Sequence, residues 1–292
     1  MPTALIVEDD PDQAEMAARL LRYRNFDSEI APTGSAGLAM ARSLKPDVIL
    51  LDLMLPDTNG FDVCRGLRAD RETMLTPVVM LTALGDERNR SKGYRVGANA
   101  YVGKPYGAED LFGAISAARG WRARMEAGQI QGEIHVELNS EIAFLQEVND
   151  FLMSVSLAIP SFDQPQVFAL RQALLEMGQN AIEWGNKHQS EQLVDITYRI
   201  YADRVEIVVR DQGSGFDRSR LDHAASPDDP VAHMDVREKL GLREGGFGLL
   251  ITDGMVDEMR HNDAGNEVTL IKRFAARGLD ARGTGTGTEG PA

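Results

Sequence analysis

The first 120 residues alternate short apolar runs with stretches of helical periodicity, and this rhythm limits the fold more than any other feature of the sequence. The apolar runs are TALIVE, DVILLD, PVVMLT and NAYVG, and the stretches between them include PDQAEMAARLLRYR and GSAGLAMARSL. Nearly continuous apolar strands that alternate with helices predict a parallel sheet covered by helices on both faces. Ligands of such doubly wound α/β sheets bind beyond the carboxyl ends of the strands.

Polar residues occupy several of these predicted strand ends. Glu8 and Asp9 follow the first strand, Asp52 closes the third, Thr82 closes the fourth, and Lys104 follows the fifth. Carboxylates that converge on one point repel one another unless a cation compensates, and an all-oxygen cluster suits Mg²⁺. The sequence therefore predicts a magnesium site at this end of the sheet, with Lys104 as a second positive charge.

The segments ALIVEDDPDQ, DVILLDLMLPDTNGFDVCRGLR, VVMLTA and GANAYVGKPY resemble the receiver domain of two-component response regulators, which has a flavodoxin-like doubly wound fold. The resemblance implies that Asp52 is the phosphoacceptor and that Glu8 and Asp9 are the acidic pair. Mg²⁺ would be bound by Asp9, the Asp52 carboxylate and the Met54 carbonyl. The family often has Asp where Glu8 stands, which alters the reach of that side chain. A receiver that is not phosphorylated is the alternative.

The same resemblance assigns roles at the last two strands. Thr82 and Lys104 would contact the phosphoryl oxygens, and Tyr101 matches the switch aromatic whose rotamer is coupled to the Thr. Pro105 makes the preceding peptide bond a candidate cis bond. Phosphorylation would add about −1.5 to −2 charges at Asp52, and we expect Thr82 and Tyr101 to shift in response.

The stretch QVFALRQALLEMGQNAIEWG, residues 166–185, is predicted to form one helix with most of its circumference buried. Its apolar residues, which include Phe168 and Trp184, recur at three- and four-residue steps. A narrow polar stripe remains on one face, formed by Gln172, Glu176, Asn180 and Glu183. The stripe is either a functional site or a solvent-exposed outer face.

The chain after this helix contains two strands and two glycine-rich loops. VDITYRIYA and RVEIVVRDQG alternate apolar and polar residues, which predicts an α/β sandwich with a mixed or antiparallel sheet. In RDQGSGF, Asp211 can accept a hydrogen bond from an exocyclic amine such as that of adenine. The second loop opens a helix whose amino terminus can hold phosphate. The glycines that allow close approach of a ligand are Gly213, Gly215, Gly245, Gly246 and Gly248.

The polar helix and the two loops come in the order of the N, G1 and G2 boxes of the GHKL (Bergerat) ATPase fold, which this half of the chain resembles. Within that fold, EGGFGLLITDGMVDEM and EVTLIKRF are most similar to the anti-sigma-factor serine/threonine kinases. The resemblance implies that Asn180 binds Mg²⁺ with the ATP phosphates and that Asp211 binds adenine. Glu176 would be the base that orients the hydroxyl of a protein substrate.

We place the receiver domain at residues 1–122, a linker at 123–130, the ATPase domain at 131–275 and a disordered low-complexity tail at 276–292. The stretch 218–244 has the composition of a mobile lid. Its candidates for γ-phosphate contacts are Arg237, Lys239 and Arg243.

Composition excludes several classes of function. A formal net charge of −14 argues against a nucleic-acid surface, so we expect no direct DNA binding. No apolar run approaches the ~20 residues of a membrane span, and MPTALIVEDD lacks the features of a signal peptide, so we expect a cytoplasmic protein. Cys64, the single cysteine, is predicted to be buried in a helix. His135 lies in the strand-like EIHVEL, and the histidines show no Cys/His spacing of a metal site.

Together, the two resemblances imply a response regulator whose output is an ATP-dependent, Mg²⁺-dependent protein kinase of the anti-sigma type. The upstream partner would be a histidine kinase or phosphotransfer protein. The downstream partner would be a STAS-type antagonist or a sigma factor, and a homodimer stays open. A non-catalytic ATP-binding module that sequesters its partner is the alternative, and a histidine-kinase-like enzyme is the third hypothesis.

Overall fold

The computed structural model describes residues 1–83, 94–215 and 248–274. Its helices are α1 (Pro11–Tyr23), α2 (Gly34–Leu44), α3 (Gly60–Ala69), α4 (Ala108–Ala127), α5 (Ile142–Leu157), α6 (Gln164–Asn180) and α7 (Gly248–Met255). Its strands are β1 (Thr3–Val7), β2 (Asp27–Ala31), β3 (Val48–Asp52), β4 (Val78–Ala83), β5 (Tyr94–Val96), β6 (Ala100–Lys104), β7 (Gly132–Asn139), β8 (Leu193–Ile200), β9 (Arg204–Arg210), β10 (Glu258–His261) and β11 (Glu267–Arg273).

The first sheet is parallel and has the strand order β2-β1-β3-β4-β6. Helices α1 and α4 cover one face, where Leu21 and Leu111 are fully buried, and α2 and α3 cover the other. Cys64 on α3 is also fully buried, as predicted. The doubly wound α/β fold is therefore confirmed, and β1, β3, β4 and β6 all point their carboxyl ends to one edge.

Local sequence signals explain where two of the helices begin. Asp10 caps α1 by accepting hydrogen bonds from the amides of Asp12 and Gln13, and Pro11 occupies the first helical position. Asp163 and Gln166 form a reciprocal capping box at the start of α6. The caps fix the entry of one helix beside each predicted site.

The second sheet is antiparallel throughout and has the order β10-β11-β9-β8-β7-β5. Every second residue of β7 and β8 is buried, and α5 and α6 cover that face. The other face carries polar side chains that are half-exposed. This arrangement confirms the predicted α/β sandwich with a sheet that is covered on one side.

Strand β5 is the feature that the sequence did not predict. It lies between β4 and β6 along the chain, yet it leaves the first sheet and pairs with β7, placing Arg95 opposite Glu137. The Gly97 amide extends this pairing by donating to the carbonyl of His135 at 2.8 Å. Helix α3 packs on both β5 and β7, so the helical layer of the second sheet continues into the first half of the chain.

Side chains also connect the two halves. Trp121 on α4 donates through Nε1 to Glu133 on β7 at 2.8 Å, and the guanidinium of the buried Arg68 stacks 5.3 Å from the Trp121 ring. Gly132 lies so close to Met74 that a Cβ there would be 2.2 Å from the Met74 sulfur. The two halves of the chain are thus in direct contact, and Gly128 ends α4 just before β7.

The prediction for residues 166–185 was wrong in one respect. Phe168 is 61% exposed and Trp184 is 47% exposed, although both were assigned to buried apolar rows. Helix α6 buries only the face that holds Val167 and Leu170 against the sheet. The backbone then changes to a π-helical turn at Ala181–Gly185, whose wider spacing displaces Trp184 from the row.

No helix in residues 1–83, 94–215 and 248–274 is both long enough and apolar enough to cross a membrane. The predicted lid at 218–244 and the predicted tail at 276–292 lie outside the described residues.

Candidate phosphorylation and nucleotide sites

Three predicted residues of the first site are in direct contact at the carboxyl edge of the parallel sheet. Lys104 Nζ lies 2.6 Å from Glu8 Oε2 and 3.0 Å from Asp52 Oδ1. Carboxylate oxygens of Glu8, Asp9 and Asp52 all lie within 4.8 Å of one another, with Asp9 on the solvent side. Three carboxylates at this separation are a donor set that fits Mg²⁺.

Burial sets the charge balance of this cluster. Burial raises the pKa of Glu8, the charge of Asp52 raises it further, and the Lys104 hydrogen bond opposes both. Burial acts to lower the pKa of Lys104, but the hydrogen bonds to Glu8 and Asp52 outweigh it and the net shift is upward. Lys104 is therefore held as a cation between two buried carboxylates.

The loop after Asp52 depends on two residues that the sequence interpretation missed. A Cβ at Gly60 would lie 2.4 Å from the carbonyl oxygen of Asp52, so only glycine lets α3 begin there. Asp57 accepts hydrogen bonds from the Gly34 and Ser35 amides and thereby ties the loop to α2. Met54, the predicted carbonyl ligand, forms an isolated bridge with Asn59 inside this loop. The turn-forming DTNG sequence was the signal available for both residues.

The remaining receiver residues lie on β4 and β6. Thr82 pairs with Gly103, the neighbour of Lys104, at the carboxyl end of these strands. Tyr101 is 49% exposed, and its hydroxyl accepts a hydrogen bond from the Ala98 amide at 3.3 Å. The Lys104–Pro105 peptide bond is cis, as predicted.

The predicted N-box residues share helix α6. Glu176 and Asn180 are one helical turn apart, and both are half-buried, as are Gln172 and Glu183. The polar stripe is therefore neither a fully exposed face nor part of the core. Asn180 is the last residue of α6. The π-helical turn that follows packs against Asp211 through Gly185.

The loop after β9 packs against that π-helical turn through two glycines. A Cβ at Gly185 would lie 2.3 Å from the Asp211 carboxyl carbon, and one at Gly213 would lie 2.4 Å from the Gly185 carbonyl oxygen. Asp211 Oδ1 accepts a hydrogen bond from the Gly213 amide at 2.8 Å. Burial raises the pKa of Asp211, and the Gly213 amide opposes that shift. The structure thus brings Asp211 and Gly213 to the end of the helix that carries Glu176 and Asn180.

Asn186 is a further residue that sequence reasoning missed. It is fully buried and follows the π-helical turn directly. Its Oδ1 accepts from the Gln212 amide at 2.8 Å, while its Nδ2 donates to Ser140 Oγ and to the Leu193 carbonyl. Asn186 therefore fixes the backbone between Asp211 and Gly213 without occupying the predicted ligand stripe. The available signal was an Asn that follows a helix, and such a residue is usually a cap.

The other predicted glycines are described in part. Gly215 has φ +74°, and a Cβ there would lie 1.7 Å from the Ala264 carbonyl oxygen, so glycine is required. Gly248 is the first residue of α7, which packs on α6. Gly245, Gly246 and the lid candidates Arg237, Lys239 and Arg243 lie outside the described residues. Gly185, Gly213 and Gly215 therefore let backbone segments of the protein pack closely around the half-buried Asp211 carboxylate.

Family models match both halves of the chain. Residues 4–116 match the response regulator receiver domain, and residues 138–272 match the histidine kinase-like ATPase domain. The second match covers the α6 site and the Asp211 loop.

Two curated relatives match different shares of this chain. The DNA-binding dual master transcriptional regulator RpaA of Synechocystis sp. is 41% identical over 117 residues, which are 40% of this chain and 48% of that protein, so the chain spans about half its length. The DNA-binding response regulator MtrA of Mycolicibacterium smegmatis is 33% identical over 212 residues, covering 69% of this chain and 87% of that protein. A crystal structure described as a response regulator from Chloroflexus aurantiacus is 30% identical, with a TM-score of 0.38, over 41% of this chain and 99% of that one. The chain belongs to the response regulators, and in it a receiver domain is followed by a histidine kinase-like ATPase domain.

Proposed function

We propose that this response regulator controls an ATP-dependent serine/threonine protein kinase of the anti-sigma type, carried by its own second domain. The observation that supports the proposal most is the position of Glu176 one turn before Asn180 on α6, with the Asp211 loop held at the end of that helix. The carboxylate of Glu176, the amide of Asn180 and the carboxylate of Asp211 thus follow one another along α6 and the loop at its end.

Phosphoryl transfer needs mainly positioning and charge neutralisation. Asn180 would hold Mg²⁺, which neutralises phosphate charge when bound, and Asp211 would accept a hydrogen bond from the adenine amine. Glu176 would orient the substrate hydroxyl and accept its proton while the hydroxyl oxygen bonds to the γ-phosphorus and ADP leaves. Gly213 and Gly215 would let backbone approach the nucleotide.

The receiver would regulate this output through the shared sheet. Asp52 would accept a phosphoryl group from a histidine kinase or phosphotransfer protein, with Mg²⁺ bound by Asp9, Asp52 and the Met54 carbonyl. Thr82 and Lys104 would contact the phosphoryl oxygens, and Tyr101 would move with Thr82. β5 follows β4 along the chain and pairs with β7, and we propose that a shift near Thr82 reaches the second sheet through β5.

We further propose a STAS-type antagonist or a sigma factor as the protein partner and the cytoplasm as the location. We expect no direct DNA binding despite the names of the two relatives, because the net charge of −14 opposes contact with phosphate. A mobility-shift assay with random-sequence duplex DNA at low salt checks this: a retarded band would contradict it.

Purified full-length protein incubated with γ-labelled ATP, Mg²⁺ and candidate antagonists tests the kinase proposal. We expect acid-stable label on Ser or Thr of an antagonist. Acid-labile label would indicate transfer to histidine instead. ATP binding without any transfer, together with co-purification of a sigma factor, would overturn the kinase proposal in favour of a partner-sequestering module.

A further inference from the structure

The polar face of the second sheet carries a row of charged residues that lie directly opposite one another on neighbouring strands. The row runs through Arg95, Glu137, Asp195, Arg210 and Glu267. Its outer members form ion pairs, Arg95 with Glu137 and Arg210 with Glu267. Asp195 sits in the middle of the row, between the carboxylate of Glu137 on β7 and Arg210 on β9, and Arg210 forms its ion pair with Glu267. Like charges at this position destabilise a sheet unless a cation compensates.

His135 is the diagonal neighbour of Asp195. Its Nε2 lies 3.7 Å from Asp195 Oδ1, which is too long for a hydrogen bond. Its Nδ1 lies 3.3 Å from the hydroxyl of Thr197, the residue opposite it on β8. With the proton on Nδ1 donated to Thr197, the Nε2 lone pair points to Asp195. A hydrogen bond from the second ring nitrogen is the usual means by which a metal-binding histidine is oriented.

Glu137 keeps one oxygen available on this face. Both of its contacts with Arg95 are made through Oε2. Among the described residues, Glu137 Oε1 has no hydrogen bond or ion pair. The contact of the Asp195 carboxylate with His135 is the one ion pair that it makes there. Burial raises the pKa of Asp195 and the charge of Glu137 raises it further, while the charges of His135, Arg210 and Arg95 oppose these shifts.

One ligand atom each from His135, Glu137 and Asp195 can be chosen so that all lie within 4.8 Å of one another. Metal–ligand bonds of about 2.0–2.2 Å in a tetrahedral zinc site place neighbouring ligands ~3.4 Å apart. The 3.7 Å between His135 and Asp195 is close to that value, and rotation of the side chains can bring in Glu137.

We propose that His135, Glu137 and Asp195 bind one divalent transition-metal ion of the Zn²⁺ class on the open face of the second sheet. A mixed imidazole and carboxylate set favours Zn²⁺ over Mg²⁺, which prefers oxygen ligands alone. The site is separate from the Glu8, Asp9 and Asp52 cluster and does not depend on the proposed kinase activity. It escaped sequence analysis because its ligands come from two strands that are far apart along the chain.

The ion would also affect the junction between the two halves of the chain. Glu137 lies opposite Arg95 on β5, so coordination through Oε1 with the Arg95 pair retained on Oε2 would hold one carboxylate from both sides. We therefore expect the ion to slow amide exchange in β5 and β7.

Titration of the full-length protein with Co²⁺, with excess Mg²⁺ present to occupy the receiver site, tests the proposal. We expect visible absorption bands of four-coordinate Co²⁺ at one equivalent, and their loss when Zn²⁺ is added. His135→Ala and Asp195→Asn should each weaken Co²⁺ binding by at least about 10-fold, because each removes a ligand. His188→Asn, at an exposed histidine outside the cluster, is the matched control and should bind as the wild type does.

Thermal unfolding without added metal separates ligand loss from misfolding. Asp195→Asn should unfold at or above the wild-type temperature, because it removes the repulsion with Glu137. Zn²⁺ should then raise the melting temperature of the wild type but not of this variant. Equal Co²⁺ spectra in the wild type, His135→Ala and Asp195→Asn would overturn the proposal, as would spectra of six-coordinate Co²⁺ alone.

Discussion

The two candidate sites hold their carboxylates in opposite ways. In the receiver, Glu8 and Asp52 are buried against Lys104, and the contacts are direct ion pairs. In the second domain, Asp211 is held by a backbone amide and by the close approach of Gly185 and Gly213.

This difference indicates two kinds of recognition. A buried carboxylate cluster with a single cation is poised to gain a second cation and to respond when its charge changes. A half-buried carboxylate surrounded by backbone is suited to hydrogen bonding with an uncharged base. The receiver cluster should therefore be sensitive to changes of charge, whereas the Asp211 region should be sensitive to the position of the backbone around it.

The largest expected effect tests the receiver cluster of Glu8, Asp52 and Lys104. Asp52→Asn should abolish labelling of the protein by a small phosphodonor, because the amide cannot form the acyl phosphate. Asp57→Asn is the matched control, since Asp57 is a nearby aspartate that caps α2 rather than joining the cluster. Autoradiography or intact mass measures the labelling. Persistent label on Asp52→Asn would show that the acceptor is elsewhere.

The next effect separates binding from transfer in the second domain. Asn180→Ala should remove Mg²⁺-dependent ATP binding, whereas Glu176→Gln should retain ATP and lose transfer by about 10²–10⁴-fold, the usual contribution of a general base. Calorimetric titration with ATP and a labelled-substrate assay measure the two quantities. An equal loss of binding in both variants would contradict the division of roles.

A smaller effect tests whether the Asp211 site depends on backbone position. Asn186→Ala leaves the Gln212 amide without its acceptor, so we expect a loss of about 1–3 kcal/mol in unfolding free energy and weaker ATP binding. Ser140→Ala removes a partner of Asn186 Nδ2 and the donor to the Gln192 carbonyl but leaves the Gln212 amide its acceptor, so it should affect stability more than ATP affinity. Denaturant unfolding and ATP titration report both. If the two variants bind ATP equally well, Asn186 does not position the loop.

The link between the two regions can be tested at Trp121. Trp121→Phe keeps a ring near Arg68 but removes the hydrogen bond to Glu133, so we expect a loss of about 0.5–1.5 kcal/mol in unfolding free energy. We also expect phosphorylation of Asp52 to change ATP affinity less than in the wild type. ATP titration with and without phosphodonor measures that coupling, and a coupling that matches the wild type would exclude this contact from the route.

The smallest effect is a pH dependence at Asp211. Because the pKa of Asp211 is raised in the folded state, its contribution to stability is complete below the unfolded value near 3.8 and is lost as pH rises through the folded pKa. Asp211→Asn is neutral at every pH, so it should melt above the wild type at pH 7, and the difference should disappear at the acid end. It keeps the acceptor for the Gly213 amide. A melting difference that is constant with pH would contradict the assignment.

Sequence patterns predicted what depends on local periodicity and on motif order. Apolar runs identified the strands, and the ends of those strands identified Asp52 and Lys104 as neighbours, because a parallel sheet brings its carboxyl ends together. Contacts between distant segments were not accessible in this way. Asn186 acts on Gln212 across the fold, and Trp184 turns outward because one π-helical turn changes the spacing. The three residues of β5 are too short a run to carry a periodic signal at all.

Strand β5 limits how this protein can be divided. A fragment that begins after the junction would expose the backbone edge of β7, and the complementary fragment would keep a strand with no sheet to join. Exposed strand edges pair with other chains, so both fragments should aggregate more readily than the whole. The receiver and the ATPase are consecutive in sequence, but one cannot simply be exchanged for another domain. A chimeric protein that keeps this ATPase domain should also keep residues 94–96, which pair with β7.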